Sequence, residues 1–185
     1  MRNLSPLTGL PGNIRIQEEI ERMVREGRPF AVLYSDLDNF KAYNDQKGFV
    51  RGDRLIQTTA RIIQDAVVEF AGSEGFVGHV GGDDFVAIVP PGVAEGTAKR
   101  IVDRFDAVVH GFYEEEDLAR GYVEVEDRKG VLQKLPLVGV SVGVATTARR
   151  GFAHYGEAVS VATEMKQFAK RDTGSSYAVD RRTAG

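Results

Sequence analysis

Phe76-Val77-Gly78-His79-Val80-Gly81-Gly82-Asp83-Asp84-Phe85-Val86-Ala87-Ile88-Val89 decides how the rest of the chain is read. Two short apolar runs, Phe76 to Val80 and Phe85 to Val89, flank a tip of two glycines and two aspartates. That pattern predicts a β-hairpin. Upstream, Phe30 to Tyr34 is a third apolar run, a buried strand that ends in Ser35-Asp36. Between this strand and the hairpin lie a short helical stretch, Phe40 to Gln46, and a long amphipathic helix. The long helix carries Leu55, Ile56, Ile63, Val67 and Phe70 on one face and stops at Gly72 to Gly75. A helix from Asn13 to Glu26 precedes everything, opened by the turn-rich Leu10-Pro11-Gly12.

Downstream, Ala98, Ile101, Val102, Phe105 and Val109 mark a further amphipathic helix. Gly121 to Leu135 reads as an inserted hairpin. Its arms carry Tyr122, Val123 and Val125, then Val131, Leu132 and Leu135, with Asp127 to Gly130 at the turn. A core strand from Leu137 to Ala145 follows. The last helix has Ala158, Val161, Ala162, Met165 and Phe168, and a strand from Tyr177 to Val179 closes the chain. The order predicts an α+β protein with a βαββαβ core, a mainly antiparallel central sheet flanked by helices.

A length of 185 residues predicts one domain over 1–185, with an insert at about 112–136. Hydrophobic residues make up 42%, enough for a sizeable core. Net charge is −3, from 24 basic and 27 acidic residues, without the basic excess of a nucleic-acid binder. No membrane-spanning run and no signal-peptide h-region is visible, so membrane contact by this segment is not expected. With no cysteine, disulfides and thiolate metal sites are excluded and a cytoplasmic location fits. His79, His110 and His154 lack the spacing of metal ligands.

The chemistry gathers in carboxylates. Asp36 ends the first core strand, and Asp83 and Asp84 sit at the hairpin tip. In a βαββαβ sheet these elements are neighbours, so the three can converge. Converging carboxylates repel unless a cation lies between them, and oxygen donors favour Mg²⁺ or Mn²⁺. Taken alone, Gly-Gly-Asp-Asp reads as a turn. A second stretch shifts that balance: Tyr34-Ser35-Asp36-Leu37-Asp38-Asn39-Phe40-Lys41-Ala42-Tyr43-Asn44-Asp45, followed by Gly48 and Gly52-Asp53. Here a strand turns tightly into a helix N-terminus, where backbone N–H groups and Lys41 can hold phosphate oxygens. Asn44 and Asp53 can meet a purine edge, because a carboxylate accepts from the N1–H and N2–H₂ groups of guanine. By itself, this stretch is also an ordinary solvated loop.

Together the two stretches resemble the GGDEF family of diguanylate cyclases. Gly81 to Phe85 stands where the namesake motif stands, as Gly-Gly-Asp-Asp-Phe. Asp36 to Lys41 is similar to the metal-and-phosphate segment, and Leu7-Thr8-Gly9-Leu10-Pro11 to the family's opening. Ser141-Val142-Gly143-Val144-Ala145 resembles a core strand and Ala169-Lys170 part of the last helix. The resemblance implies a palm-like nucleotidyl-cyclase fold that makes cyclic di-GMP from two GTP, one per domain of a homodimer. It implies metal held by Asp36, Asp83, Asp84 and the backbone at Leu37, with Asp83 and Asp84 catalytic. It implies GTP held by Leu37, Asn39, Phe40, Lys41, Asn44, Asp53 and Lys170. An N-terminal sensor domain in a longer protein is the expected partner.

The chain departs from the family in places. Asp84 replaces the usual Glu, His79 an Arg, and Phe49 a His. The tail after Lys170 reads Arg171-Asp172-Thr173-Gly174-Ser175, without the Arg the family places there. The Arg-x-x-Asp of the product-inhibition site is missing before the motif. The acidic run Glu114 to Asp117 reads as a solvated turn. The alternative function is a weak or inactive domain that binds GTP as a regulatory module. A cyclase using ATP is disfavoured, because adenine offers no N1–H donor to Asp53.

Overall fold

The computed structural model describes residues 4–172 and 174–183. Thr173, within the altered tail, lies outside them. The elements run α1 (Asn13–Glu26), β1 (Ala31–Asp38), α2 (Phe40–Lys47), α3 (Phe49–Ala71), β2 (Phe76–Gly81), β3 (Asp84–Val89) and α4 (Ala94–Val109). There follow α5 (Glu115–Arg120), β4 (Tyr122–Glu126), β5 (Leu132–Pro136), β6 (Gly139–Thr146), α6 (Tyr155–Ala169) and β7 (Ser176–Val179). The central sheet has the order β2-β3-β1-β6-β7, and β4 and β5 pair separately. β1 is antiparallel to both neighbours, and only β6 and β7 run parallel. This is the expected α+β architecture. Among the described residues no helix is long and apolar enough to cross a membrane.

Strand alternation sorts the side chains into two layers. Ala31, Leu33 and Leu37 of β1 join Phe85, Ala87 and Val89 of β3 and Val140, Val142 and Val144 of β6 in the larger core, beneath α3 and α4. Val32, Val86, Ile88 and Ala145 face the other way, against Ile16, Ile20 and Met23 of α1 and Ala158 and Ala162 of α6. β1 and β6 therefore read as near-continuous apolar runs, because both of their faces are covered. Asp36 and Asp38 share the parity of Val32 and Tyr34, so they lie on the α1/α6 side of the sheet.

Two expectations need correction. The apolar face assigned to α6 is rotated: its buried positions are Ala158, Ala162, Lys166 and Ala169, and Phe168 is 54% exposed. A lysine occupies a core position because a carboxylate waits for it on the sheet. The acidic run at 114–117 is not a solvated turn. It opens α5, and Asp117 is buried, 3.2 Å from Lys47 and 2.8 Å from Arg120. Glu114 lies 2.5 Å from Lys47 and 3.2 Å from Arg51. Arg51 and the Tyr43 hydroxyl both donate to the Phe112 carbonyl at 3.2 Å, and the Tyr113 hydroxyl accepts from the Val138 N–H at 2.9 Å. The segment 112–117 is thus clamped to α2 and the start of α3.

Hydrogen bonds from Lys47 and Arg51 pull the Glu114 carboxyl from its ordinary 4.5 to about 2. A depressed folded-state value stabilises the fold above the unfolded value and loses that contribution as pH falls through the window from 4.5 to about 2. Urea denaturation across this window is expected to give a shallower pH dependence for Glu114→Gln than for wild type.

Candidate functional site

The hairpin tip is built by two glycines with positive φ, Gly81 at 147° and Gly82 at 52°, conformations that side chains resist. The tip is tied down by His79. Its Nε2 lies 2.8 Å from the Gly82 carbonyl and its Nδ1 2.7 Å from the Ser5 hydroxyl. A carbonyl only accepts, so Nε2 carries a proton; in the neutral ring Nδ1 then accepts from Ser5. The ring stacks on Phe85 at 4.6 Å, and the His79 N–H donates to the Pro11 carbonyl at 2.8 Å. His79 therefore fastens the segment 5–11 to the tip.

The register of β1 and β3 ends at Ser35 opposite Phe85, which carries Asp36 onto the same level as Asp84. One oxygen each from Asp36, Asp83 and Asp84 lies within 4.8 Å of the others. Asp83 accepts the Leu37 N–H at 3.0 Å, and Asp84 accepts the Tyr34 hydroxyl at 3.3 Å. Burial raises the Asp83 carboxyl, and the nearby Asp36 charge adds to this while the Leu37 N–H opposes it. Burial and then the Asp83 charge raise Asp84. Burial, reinforced by Asp84, also pushes the Tyr34 phenol up.

Lysines approach from α6. Lys166 Nζ is 3.1 Å from Asp36 Oδ2, and Lys170 Nζ is 2.6 Å from both Asp36 Oδ1 and Asp38 Oδ1. Burial tends to lower the Lys170 ammonium, but its bonds to Asp36 and Asp38 prevail and raise it. The Ser141 hydroxyl donates to Asp38 at 2.8 Å. Asp36 Oδ1 is buried and receives no aligned hydrogen bond, its contact with Lys170 being ionic. Three converging carboxylates, two of them disfavoured as anions by burial, are a donor set that fits a divalent cation.

The other expected residues are placed as follows. Asn39 adopts φ 65° at the N-cap of α2, and the first intrahelical bond runs from the Tyr43 N–H to its carbonyl at 3.2 Å. The N–H groups of Phe40 and Lys41 therefore have no partner within the helix. Phe40 packs on the main core, whereas the Lys41 side chain is 93% exposed, 3.5 Å from Asp45. Asn44 Oδ1 fills the space that a Cβ on Gly52 would take, so Asn44 packs against the residue that precedes Asp53. Asp53 faces a cavity of about 620 Å³, lined also by Leu4, Ile14, Ile56, Gly81 and Gly82. The fold thus brings Asp36, Leu37, Asp83, Asp84 and Lys170 together, and brings Asp53 to the back of the same hairpin tip. It leaves Lys41 at the solvent edge.

The family model described as diguanylate cyclase, GGDEF domain, matches residues 3–175. The chain belongs to the GGDEF family. It is 35% identical over 105 residues to the bifunctional diguanylate cyclase/cyclic di-GMP phosphodiesterase MucR of Pseudomonas aeruginosa, which covers 53% of this chain and 15% of that protein. Among solved structures it is similar to diguanylate cyclase SiaD of Pseudomonas aeruginosa, in complex with its activator SiaC. The TM-score is 0.66 at 27% identity, covering 96% of this chain and 62% of that one. The GGDEF domain of TpbB, or YfiN, from the same organism has a TM-score of 0.67 at 22% identity, covering 95% of this chain and 93% of that one, and shares the fold. This GGDEF domain spans a small part of the curated relatives that it matches. It is a member of the diguanylate cyclase family of cyclic di-GMP signalling.

Tyr34, Asp38, Ser141 and Lys166 also line the site, beyond the residues to which the resemblance gives a metal or GTP role. Strand parity from Asp36 predicts Tyr34 and Asp38 on the same face. The spacing of Ala158, Ala162, Lys166 and Ala169 is a helical stripe of small residues interrupted by one lysine, and it points to Lys166.

Proposed function

We propose that this domain condenses two GTP molecules to cyclic di-GMP, each domain of a facing homodimer presenting one GTP. The observation that carries this reading is the carboxylate cluster on one side of the Gly81-Gly82 turn with Asp53 in the cavity on the other. Phosphates and base are thereby addressed from opposite sides of one short turn. In each half-reaction the 3′-hydroxyl of one GTP attacks the α-phosphorus of the other. A phosphodiester forms, pyrophosphate leaves, and the hydroxyl proton passes to a base. We take residues 1–185 as one domain, with 112–136 as its insert.

Asp36, Asp83, Asp84 and the backbone at Leu37 would hold Mg²⁺ or Mn²⁺, which supplies neutralisation of phosphate charge and acidification of the attacking hydroxyl. The chain's own groups position the reactants. The N–H groups of Phe40 and Lys41 donate to phosphate oxygens at the α2 N-terminus, and the Lys41 ammonium swings in from solvent. Asp53 and Asn44 read the guanine edge. Lys170, held by Asp36 and Asp38, would be free to turn toward a phosphate if Asp36 held the cation. An N-terminal sensor domain in a longer cytoplasmic protein is part of the same proposal.

A second reading is a GTP-binding regulatory domain with weak catalysis. What favours it is Asp84: a methylene shorter than glutamate and already engaged by Tyr34, it has less reach toward a metal or hydroxyl. A displacement of about 1 Å costs on the order of a hundredfold in rate.

The decisive assay incubates concentrated protein with GTP and Mg²⁺ or Mn²⁺ and separates nucleotides by chromatography. Cyclic di-GMP is expected from wild type and none from Asp83→Asn; a wild type that binds GTP without making product supports the second reading. If reach limits turnover, Asp84→Glu raises kcat while leaving GTP affinity nearly unchanged, the mark of an interaction made in the transition state. For base choice, calorimetry of Asp53→Ala is expected to show a loss of GTP affinity of about tenfold or more and little change for ATP. Equal losses for both nucleotides would remove Asp53 from the base-reading role.

A further inference from the structure

Lys166 lies outside every stretch that carries the family resemblance, yet it sits at the centre of the acidic cluster. It is 5% exposed. A buried ammonium is costly unless paired, and such lysines are rare. Its Nζ is 3.1 Å from Asp36 Oδ2 and 4.7 Å from the centre of the Tyr34 ring, whose hydroxyl in turn bonds Asp84. The ammonium also works on Asp84, drawing its carboxyl down against the effect of burial. The backbone of α6 at Lys166 packs so tightly on β6 that a Cβ on Gly143 would lie 2.1 Å from the Lys166 nitrogen. The lysine is therefore delivered by a rigid helix–strand contact and is not a flexible surface group that happens to fold inward.

Its charge matters for the count of cations. Asp36, Asp38, Asp83 and Asp84 are four carboxylates, and Lys166 and Lys170 are two ammonium groups among them. With every carboxylate ionised, the cluster keeps two negative charges, the amount one divalent ion neutralises. Asp36 Oδ2 faces Lys166, whereas Asp36 Oδ1 faces Lys170, the more exposed of the two lysines.

We propose that Lys166 is a built-in cation of this centre, which occupies one side of Asp36 and limits the nucleotide-free site to a single divalent ion. The inference rests on the reading that Asp36, Asp83 and Asp84 hold such an ion. Lys166 is a specificity-determining residue of the metal site: it sets how many ions enter and how tightly the first is held. Met is the informative replacement, since it keeps an unbranched stem of similar length and removes the charge.

The test is a Mn²⁺ titration of nucleotide-free protein, with free Mn²⁺ followed by electron paramagnetic resonance. Wild type is expected to bind one ion. Lys166→Met, checked for a native circular dichroism spectrum, is expected to bind Mn²⁺ roughly tenfold or more tightly than wild type, because a positive charge a few ångströms from the ion has gone. Equal affinity in the two proteins overturns the role of Lys166, as does a wild type that binds two ions. Should Lys166→Met fail to fold, the wild-type stoichiometry decides alone. A wild type that binds no Mn²⁺ instead removes the metal-centre reading on which the inference stands.

Discussion

Like-charge repulsion among Asp36, Asp83 and Asp84 is the constraint to which the surrounding structure answers. The antiparallel register of β1 on β3 leaves no freedom in the matter. Once Ser35 lies opposite Phe85, Asp36 is carried to the tip of the β2–β3 hairpin. The two glycines of the tip then turn the chain so that Asp83 and Asp84 face back toward the strand end. Slipping the register by one residue would send Asp36 to the opposite face of the sheet, into the apolar layer under α3 and α4. The apolar alternation of three strands thus fixes the position of a charged cluster that would not assemble unaided.

The cluster is made tolerable by donors from four directions. The Leu37 N–H serves Asp83, the Tyr34 hydroxyl serves Asp84, Ser141 serves Asp38, and α6 supplies Lys166 and Lys170. Even so, burial still raises Asp83 and Asp84, so compensation is incomplete. An arrangement that keeps carboxylates converged but under-neutralised is poised for a cation, and a stability-optimised core would have no use for it. The structural cost is concentrated at one end of the sheet, at the tip of the β2–β3 hairpin.

Much of this was legible in the chain. The bounds of α1, from Asn13 to Glu26, follow from the Pro11-Gly12 turn before it and the Gly27 cap after it. The hairpin follows from its paired apolar runs, and the pairing of β1 beside it follows from the βαββαβ order. The carboxylates could be named because their positions are set by backbone register. What was not legible depends on side chains meeting across long sequence distances. Asp117 is buried because Lys47 and Arg120 reach it, and nothing in a run of four acidic residues distinguishes the one that turns inward. Lys166 was passed over for the same reason. Residue type argued for solvent, and only the Ala158-Ala162-Ala169 stripe argued for the core. In both cases ion pairing overrode hydropathy, and the winner was decided by a partner more than 60 residues away or on a different element.

The departures from the family pattern are linked by geometry. His79, where the family tends to place Arg, reaches Ser5 on one side and the Gly82 carbonyl on the other. A neutral ring can make both bonds at once only because its two nitrogens play opposite roles, one donating and one accepting. An arginine, with donors only, could hold the carbonyl but could not accept the Ser5 proton as Nδ1 does. Ser5 and His79 thus form a matched pair. Both also line the cavity that holds Asp53, together with Gly81 and Gly82. The wall of the Asp53 cavity and the turn that presents Asp83 are therefore one hydrogen-bonded unit. Displacing the segment before α1 would disturb both together, so the Asp53 cavity and the carboxylate cluster cannot be positioned independently.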